Sequence, residues 1–336
     1  MFNNKSILIT GGTGSFGNQF LKFVTKNFKP KRLVIYSRDE LKQYEMNQKF
    51  SNEKYEFIRF FLGDVRDYQR LDMAMKEIDY VIHAAALKQV PSAEYNPMEC
   101  IKTNIYGAEN VIKSSLSNNV KKIIALSTDK AANPINLYGA SKLVSDKIFV
   151  AANNLVGKGS SRFSVVRYGN VLNSRGSVVP LFKKYIESRA EYLPITSDKM
   201  TRFWITLNQS VDFVYKSFQR MQGGEVFVPK LPSLKIVELA KAMAPNLKHK
   251  IIGLRPGEKI HEVMCPRDDS HLTISFDDHY VIKPSIKFND LNIDYLSNPL
   301  KEKGKQVKID FEYSSKDNID LLDIEKIKTL IDNSDL

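Results

Sequence analysis

Short apolar runs of four to six residues alternate with longer stretches of helical periodicity through the first half of the chain. Runs of this length and composition are typical of buried parallel strands. They lie at 6–10, 33–36, 57–62, 80–83, 123–126 and 163–167, and the helical stretches at 18–28, 97–115 and 137–154. The alternation of strand and helix predicts an α/β fold with a doubly wound parallel sheet.

The pattern loosens after about residue 170. The second half predicts a helix that opens at Val178, a helix at 207–221, a strand at 225–228, a hairpin at 271–283 and an amphipathic helix at 319–331. We therefore expect a large domain at 1–168, which 204–228 rejoins. A smaller α/β domain at 169–203 and 229–336 would cap the sheet and bind the substrate.

A glycine-rich turn joins the first strand to the first helix. Gly11 would permit the tight turn, Gly14 a close approach to a pyrophosphate, and Gly17 close packing of helix on strand. The N-terminus of the helix would bind the phosphates. Strand, glycine turn and helix together predict a Rossmann domain, with cofactor contacts in this turn at Gly11, Thr13, Gly14, Ser15, Phe16 and Gly17.

The end of the second strand carries the residues expected to select the dinucleotide. Ser37, Arg38 and Lys42 suit the additional 2′-phosphate of NADP. Asp39 keeps NAD possible, because an acid at this position would accept hydrogen bonds from the ribose hydroxyls. The sequence favours NADP and leaves NAD as the alternative.

Two further strand ends are expected to contact the cofactor. Asp64, followed by Val65, can accept a hydrogen bond from the adenine amino group. Ala84, Ala85 and Ala86 are small enough to let the cofactor pass close to the backbone.

Two polar residues near this edge have open roles. Lys88 follows the alanine run and would reach a phosphate or the sugar, although a solvated loop lysine is nearly as plausible. Asn104 lies inside the predicted helix at 97–115, where Asn is mildly unfavourable. A role near the substrate and a structural role are equally compatible with it.

The segment 127–142 carries the main candidates for catalysis. Thr128, Asp129 and Lys130 follow a buried strand and so lie at its carboxyl end, where open α/β sheets bind ligands. Tyr138 and Lys142 are four residues apart on one helix face. A lysine beside the phenol, with a cationic cofactor, would favour the phenolate and make Tyr138 a base.

Composition and charge exclude several classes of protein. The two cysteines and five scattered histidines indicate neither a disulfide framework nor a metal site. No apolar run approaches the roughly 20 residues of a transmembrane helix, and the start of the chain has no signal peptide pattern, so we expect a cytoplasmic protein. The net charge of +12 is spread along the chain, which favours anionic small ligands over nucleic acid. Arg202 and Arg255 are candidates for binding a ligand diphosphate.

Taken together, the motifs resemble the extended short-chain dehydrogenase/reductase superfamily, which the glycine turn, Gly63-Asp64 and Tyr138 with Lys142 identify. Within it, Asp129 followed by Lys130 resembles the inverting UDP-N-acetylglucosamine 4,6-dehydratases that begin the pathway to pseudaminic acid. The matching stretches are 84–88, 127–142, 167–171, 200–204 and 255–259.

The resemblance implies a role for each residue of the catalytic segment. Tyr138, assisted by Lys142, would take the C4 hydroxyl proton, and Thr128 would orient that hydroxyl. Lys130 would remove the C5 proton, and Asp129 would protonate the departing C6 hydroxyl.

The resemblance also implies the remaining partners. UDP-N-acetylglucosamine would be the substrate, NADP the bound cofactor, and the protein a homo-oligomer, either a dimer or a hexamer. Substrate contacts are expected at Lys88, Asn104, Asn170, Val178, Val179, Phe182, Thr196, Met200, Arg202, Arg255 and Glu258.

Three alternatives remain open. One is a UDP-hexose 4-epimerase on the same fold, and another is a dehydratase that goes on to epimerise further carbons. A non-catalytic NADP-sensing regulator is the third, but such a protein would be expected to lack Tyr138 or Lys142.

Overall fold

The computed structural model describes residues 1–51, 53–157, 160–174, 176–288 and 293–332. Its strands are β1 Ser6–Thr10, β2 Arg32–Ser37, β3 Ile58–Leu62, β4 Tyr80–His83, β5 Lys122–Thr128, β6 Arg162–Tyr168, β7 Asn170–Val171, β8 Tyr192–Ile195, β9 Thr201–Ile205, β10 Val226–Pro229, β11 Ser233–Lys235, β12 Lys248–Ile251, β13 Val263–Cys265, β14 Thr273–Ser275, β15 His279–Ile282, β16 Lys305–Gln306 and β17 Tyr313–Ser314.

The α-helices are α1 Ser15–Asn27, α2 Glu40–Lys49, α3 Tyr68–Ala74, α4 Val90–Tyr95, α5 Pro97–Ile101, α6 Gly107–Ser117, α7 Leu137–Ala151, α8 Val178–Glu187, α9 Leu207–Arg220, α10 Ile236–Met243 and α11 Ile324–Asp332. Short 3₁₀ segments lie at Asp129–Ala131, Ala152–Leu155 and Arg267–Leu272, and a π-helical turn lies at Lys102–Tyr106.

The main sheet confirms the predicted doubly wound arrangement. Strands β3, β2, β1, β4, β5, β6 and β10 lie side by side in that order, and each neighbouring pair is parallel. All five residues of β1 are buried, because helices cover both faces of the sheet. The strand order reverses between β1 and β4, and in such sheets the crevice outside the carboxyl ends at this point binds ligands.

The carboxyl-terminal part of the chain extends this sheet beyond the predicted boundary. β15 pairs antiparallel with β10, and β14 and β16 follow it. Residues such as Ile274 and Val281 therefore join the main core, whereas the sequence interpretation placed them in the smaller domain. The hairpin covers the outer edge of β10, which would otherwise expose unpaired backbone groups.

A second apolar core lies in the smaller part of the molecule. It is formed by residues of 172–204, 234–240 and 322–331, including Phe182, Trp204 and Leu239. The strands of this part form two small sheets, β11-β9-β7 and β12-β8. The predicted helix at 319–331 begins later, at Ile324, because the Asp323 side chain caps its N-terminus by accepting from the Lys326 amide.

The helix predicted at 97–115 is confirmed as a continuous helical segment, but it contains a π-helical turn that the sequence did not predict. α5 ends at Ile101, the π-helical turn follows, and α6 continues to Ser117. The wider turn buries Thr103 and Asn104. π-Turns are frequent at functional sites. Among the described residues, no helix combines the length and apolarity needed to cross a bilayer.

Candidate active site

The glycine turn lies at the reversal point between β1 and β4. Gly11 has a φ of +64°, and a Cβ there would lie 2.8 Å from the Ala85 Cα. A Cβ at Gly17 would lie 2.0 Å from the Gly12 carbonyl oxygen, so α1 packs directly on the turn. Gly14 is the N-cap of α1, with Ser15 as the first helical residue. The closeness of these segments fits a turn that binds a pyrophosphate through backbone amides.

The other residues predicted in the turn are buried to different degrees. Thr13 is buried, and its carbonyl oxygen accepts a hydrogen bond from the Asn18 side chain. Phe16 is half-buried, and its ring stacks on Phe20.

The residues expected to select the dinucleotide gather beside β2 and β3. Asp39 caps α2 by accepting from the Lys42 amide, and the two side chains form an ion pair. The buried Ser37 hydroxyl accepts from Gln43. Arg38 is half-exposed, with Nη1 3.6 Å from Asp64 Oδ2. The charges of Asp39 and Lys42 therefore offset each other, and Arg38 is an exposed cation at this edge.

Asp64 is already paired with arginine. Arg66 donates to its carboxylate through Nε and Nη2 at 3.0 and 2.8 Å. Burial raises the pKa of Asp64, but the hydrogen bonds from Arg66 lower it by more. Val65 is buried, and a Cβ at Gly107 would lie 2.7 Å from it. Val65 therefore fixes the π-helical region against β3.

The loop after β4 is held by buried side chains. The Thr10 hydroxyl accepts from the amides of Ala84 and Ala85 at 3.2 and 3.3 Å. The Asn104 side chain accepts from the Leu87 amide at 2.8 Å and donates to the Leu87 carbonyl oxygen at 3.0 Å. It also donates to the Ser141 hydroxyl. The contacts of Asn104 are thus with the protein, and they join the loop after β4 to α7.

Beyond this anchored part the loop is more accessible. Ala86 and Lys88 are exposed.

The Asp129–Lys130 pair lies immediately after β5. Lys130 Nζ is 3.1 Å from Asp129 Oδ1 and 3.4 Å from Asn170 Oδ1. The Thr128 hydroxyl donates to Asp129 at 3.0 Å. Asp129 is completely buried, and its Oδ2 has no hydrogen-bond partner among the described residues. An amine and a carboxyl group in direct contact can serve as base and acid in one reaction.

Helix α7 is held unusually close to this pair. A Cβ at Gly139 would lie 2.2 Å from the Lys130 carbonyl oxygen. Asn136 caps the helix by accepting from the Gly139 amide at 2.8 Å, and Glu94 accepts from the Leu137 amide at 2.7 Å. The closeness of α7 and the 3₁₀ segment explains why Tyr138 lies beside Thr128 and Lys130.

The surroundings of the Tyr138 phenol set its pKa. Burial raises the pKa of Tyr138 to about 12, opposed by Lys130 and by a hydrogen bond with Thr128. Among the cations that contact this region, Lys130 is the one with the largest lowering effect on the pKa of Tyr138. Deprotonation of this phenol needs an additional positive charge in the cleft.

Lys142 is buried one helical turn after Tyr138, with Asp146 a further turn on. Burial lowers the pKa of Lys142, and Asp146 raises it by less. Asp146 accepts from Ser127 at 2.7 Å and from Arg167 at 3.1 Å. The polar groups beneath Lys142 are thus tied to β5 and β6.

Glu262 is a member of the site that the sequence motifs missed. This buried carboxylate lies 3.5 Å from Lys130 Nζ, 3.8 Å from Arg202 Nε and 3.7 Å from Lys259 Nζ. Burial lowers the pKa of Lys130, but Asp129 and Glu262 raise it by more. The only signal in the sequence is that Glu262 follows the charged turn at 255–259 by three residues.

Apart from Lys88 and Asn104, the predicted substrate residues fall into two groups. Asn170 and Arg202 contact the catalytic segment or Glu262. The loop with Arg255 and Glu258 lies against the same region, because Asn136 donates to the Gly257 carbonyl at 2.8 Å. Arg255 and Glu258 pair with each other.

The second group lies in or beside the second core. Val179, Phe182 and Met200 are members of it. Their side chains are buried, Thr196 is also buried, and Val178 is half-buried. Of these predicted substrate residues, Val178 is therefore the most accessible.

The site thus combines a dinucleotide-type cleft, a buried Tyr and Lys on one helix, and an acid–amine pair. Among the described residues, no cluster of three or more His, Cys, Asp or Glu side chains is arranged to hold a metal ion. Residues 7–284 match the family model described as "Polysaccharide biosynthesis protein". The chain belongs to this polysaccharide biosynthesis family.

Two relatives of this chain differ in the activity that they are named for. A UDP-N-acetylglucosamine 4,6-dehydratase (inverting) of Campylobacter jejuni subsp. jejuni is 61% identical over 318 residues, which is 95% of this chain and 94% of the relative. A UDP-glucose 4-epimerase of Rickettsia bellii is 44% identical over 342 residues and covers 100% of this chain and 97% of its own length.

A solved structure supports the same fold. The X-ray structure of Pen from Bacillus thuringiensis is 36% identical in sequence to this chain and matches its fold with a TM-score of 0.89. The match covers 99% of this chain and 98% of the solved one.

Proposed function

We propose that this protein is a UDP-N-acetylglucosamine 4,6-dehydratase that inverts C5, a hydro-lyase. The product would be UDP-2-acetamido-2,6-dideoxy-β-L-arabino-hexos-4-ulose, and the reaction the first step of pseudaminic acid biosynthesis in the cytoplasm. The observation that carries the proposal is the contact between Lys130 Nζ and Asp129 Oδ1 beside Tyr138. The identity of 61% to an inverting dehydratase supports it.

The chemistry explains why these groups are needed together. The C5 hydrogen of a hexose is not acidic, so water cannot be eliminated across C5 and C6 directly. A ketone at C4 makes that hydrogen acidic. The enzyme therefore needs a base at the C4 hydroxyl, a base at C5 and an acid at the C6 oxygen.

Tyr138 takes the C4 hydroxyl proton in this mechanism. Thr128, which lowers the pKa of this phenol, would orient the C4 hydroxyl. Lys142, buried one turn away, adds positive charge to the same face of α7. Burial alone disfavours the phenolate, so cations in the cleft must support this step.

Lys130 and Asp129 carry the elimination. Lys130 removes the C5 proton, and Asp129 gives a proton to the departing C6 hydroxyl. The unpartnered Oδ2 of Asp129 and the amine of Lys130 belong to adjacent residues, so both can act on neighbouring carbons of one sugar.

NADP is the proposed cofactor. When bound, its nicotinamide would supply the acceptor and donor of hydride. The turn from Gly11 to Gly17 would hold the pyrophosphate, since Gly11 and Ala85 approach too closely for a Cβ. Arg38 is an exposed cation for the 2′-phosphate, and Asp39 keeps NAD as the alternative.

The remaining contacts are proposed for the substrate. Asn170 and Arg202 adjoin the catalytic lysine and its carboxylate partner, which suits binding of the sugar and the diphosphate. The loop with Arg255 and Glu258, docked on Asn136, would bind the diphosphate and ribose. A homo-oligomer, dimer or hexamer, is proposed as the assembly.

Product analysis tests this function. Purified protein is incubated with UDP-N-acetylglucosamine in heavy water, and the product is examined by mass spectrometry and NMR. Loss of one water and deuterium at C5 are expected. Recovery of UDP-N-acetylgalactosamine without loss of water would establish the 4-epimerase instead.

The epimerase is the second candidate because relatives named UDP-glucose 4-epimerase cover the whole chain at 44% identity. Epimerisation at C4 needs the C4 hydroxyl base but neither a C5 base nor a C6 acid. The Asp129–Lys130 contact therefore favours the dehydratase.

A further inference from the structure

Glu262 is a buried carboxylate to which the proposed reaction assigns no step. It lies among three cations, with Oε1 3.5 Å from Lys130 Nζ and 3.8 Å from Arg202 Nε, and Oε2 3.7 Å from Lys259 Nζ. Its side chain is 2% exposed. Oε2 has no hydrogen-bond partner among the described residues. The desolvation of buried charges offsets much of their mutual attraction, so stability alone is a weak explanation for this cluster.

The charged groups that face Lys130 come from several elements. Asp129 lies on the same 3₁₀ segment, Tyr138 on α7 and Arg202 on β9. Glu262 precedes β13. Lys259 pairs with Glu262 and also donates to the Ala132 carbonyl oxygen at 2.6 Å. By formal charge, the cluster has three cations, Lys130, Arg202 and Lys259. Its two anions are Asp129 and Glu262, and Glu262 is paired with all three cations.

The proposed elimination needs the Asp129–Lys130 pair to share a single proton between the amine and the carboxylate. Burial lowers the pKa of Lys130, while Asp129 and Glu262 raise it by more, so the resting pair holds one proton on the amine. Transfer of that proton over 3.1 Å breaks an N–H bond at Nζ and forms an O–H bond at Oδ1. The result is a neutral amine and a carboxylic acid, which are the base and the acid that the elimination requires.

The elimination returns the Asp129–Lys130 pair to its starting protonation state. Lys130 gains the C5 proton, and Asp129 gives its proton to the departing hydroxyl, which leaves as water. The pair then has its resting charges again. A pair that has lost its single proton to solvent has no acid for the C6 oxygen and cannot eliminate water.

We propose that Glu262 is a positioning residue that holds Lys130 against Asp129 and retains the single proton of that pair, while Arg202 and Lys259 balance its charge. This inference rests on the proposed dehydratase function. Glu262 acts through Lys130 and does not itself contact the sugar.

The test is the pH dependence of kcat and KM in Glu262→Gln. Removing the anion leaves Arg202 and Lys259 facing Lys130, so the pair loses its proton at lower pH. The wild type should keep its kcat up to about pH 10, since its lysine is held above the ordinary value of about 10.4. In the variant, the alkaline loss of kcat should begin about 1–3 pH units lower.

The change should appear mainly in kcat. We expect kcat at neutral pH to fall roughly ten- to a hundredfold, part of what a general acid–base pair contributes, with KM changed less than about threefold. Glu262→Asp, which keeps the charge on a shorter side chain, should restore part of the alkaline range. An unchanged pH profile, or a change confined to KM, would show that Glu262 only orients the substrate-binding Arg202.

Glu225→Gln is the matched control. Glu225 is also a buried carboxylate, but it binds Ser164 at 2.6 Å and the amides of Gln222 and Gly223 at the opposite end of β6. It should keep the wild-type pH profile. If Glu262→Gln does not fold, the double variant Lys259→Met, Glu262→Gln removes one charge of each sign and should show the same alkaline loss. A wild-type profile in the double variant overturns the inference.

Failure of the inference and failure of the function have different signatures. If the wild type forms no keto-sugar from UDP-N-acetylglucosamine, the proposed function fails and the inference fails with it. If the wild type forms the product and the Glu262 variants keep its pH profile, the inference alone fails.

Discussion

Asp129 and Lys130 are adjacent in sequence and in contact through their side chains, yet the proposed mechanism gives them opposite roles. Lys130 is about one quarter exposed, and Asp129 is completely buried. The more accessible amine suits removal of a substrate proton. The buried acid is shielded from solvent, which suits delivery of a proton to a leaving hydroxyl. Their roles can be separated by substitution.

Lys130→Met should abolish both water loss and deuterium incorporation at C5, because the C5 base is gone. Asp129→Asn should reduce water loss by roughly 10²–10⁴-fold. C5 should still exchange with heavy water, because Lys130 remains and, without the carboxylate charge that raises its pKa, can lose its proton to solvent. NMR of the recovered sugar nucleotide measures both. Exchange at C5 in Lys130→Met would contradict the assignment of Lys130 as the base. Full dehydration activity in Asp129→Asn would contradict the assignment of Asp129 as the acid.

His83 is a buried histidine at the end of β4 that affects stability. Thr10 contacts its Nδ1 at 2.8 Å, and its ring stacks on Phe149. Burial, together with the positive charge of Lys142, lowers the pKa of His83 to about 3. In the unfolded chain its pKa is about 6.5, so between these values the unfolded state binds more protons. Stability should therefore fall as the pH drops below about 6.5.

The expected loss from His83 is about 2 kcal/mol of unfolding free energy between pH 7.5 and pH 5. His83→Gln cannot titrate and should show a pH dependence that is smaller by this amount. Urea unfolding at the two pH values measures the difference. The matched control is His271→Gln, at an exposed histidine. An unchanged pH dependence in His83→Gln would show that this ring does not remain neutral in the folded protein.

At the scale of single elements, the first turn of α7 sets the distance between the two halves of the site. Gly139 faces the Lys130 carbonyl oxygen so closely that an added Cβ would lie only 2.2 Å from it. Replacing a helical glycine by alanine ordinarily stabilises a protein by up to about 1 kcal/mol. Here it must push α7 away from the 3₁₀ segment and separate Tyr138 from Thr128 and Lys130.

Gly139→Ala should therefore lower kcat by up to roughly a hundredfold while the protein stays folded, because a shift of about 1 Å between reacting groups has effects of this size. Lys147→Ala, at an exposed position of the same helix, is the control and should keep wild-type activity. Steady-state kinetics with circular dichroism provides the comparison. Wild-type kcat in Gly139→Ala would mean that the close approach is not needed.

Sequence patterns predicted the elements whose signals are local. The buried strands, the glycine turn and the Tyr138–Lys142 spacing each depend on a few neighbouring residues, and the fold class followed from them. The π-helical turn at 102–106 has no such local signal, and it is followed by the close approach of Gly107 to Val65, a residue distant in sequence. Glu262 was missed for a similar reason. Its partners Lys130 and Arg202 are 132 and 60 residues away in the chain, and only folding brings their charges together.

At the scale of the whole molecule, the main core crosses the predicted domain boundary. It includes Ile7 and Val34 from the first strands as well as Ile274 and Val281 from the hairpin β14–β15. Arg220, at the end of α9, connects this hairpin to the following segment. Its guanidinium is buried and donates to Asp278 at 2.9 Å and to Glu302 at 2.8 Å. The extension should therefore unfold together with the rest of the sheet.

Arg220→Ala tests that cooperativity. It should lower the unfolding free energy by about 3 kcal/mol, the lower end for breaking a buried ion pair, because Asp278 and Glu302 both retain contact with water. Lys216→Ala removes an exposed ion pair with Asp212 on the same helix and should cost less than about 1 kcal/mol. Denaturant unfolding followed by fluorescence and circular dichroism should give one transition, shifted to lower denaturant. A separate early transition in Arg220→Ala would show that the hairpin unfolds independently, and that the carboxyl-terminal strands behave as the separate domain that the sequence suggested.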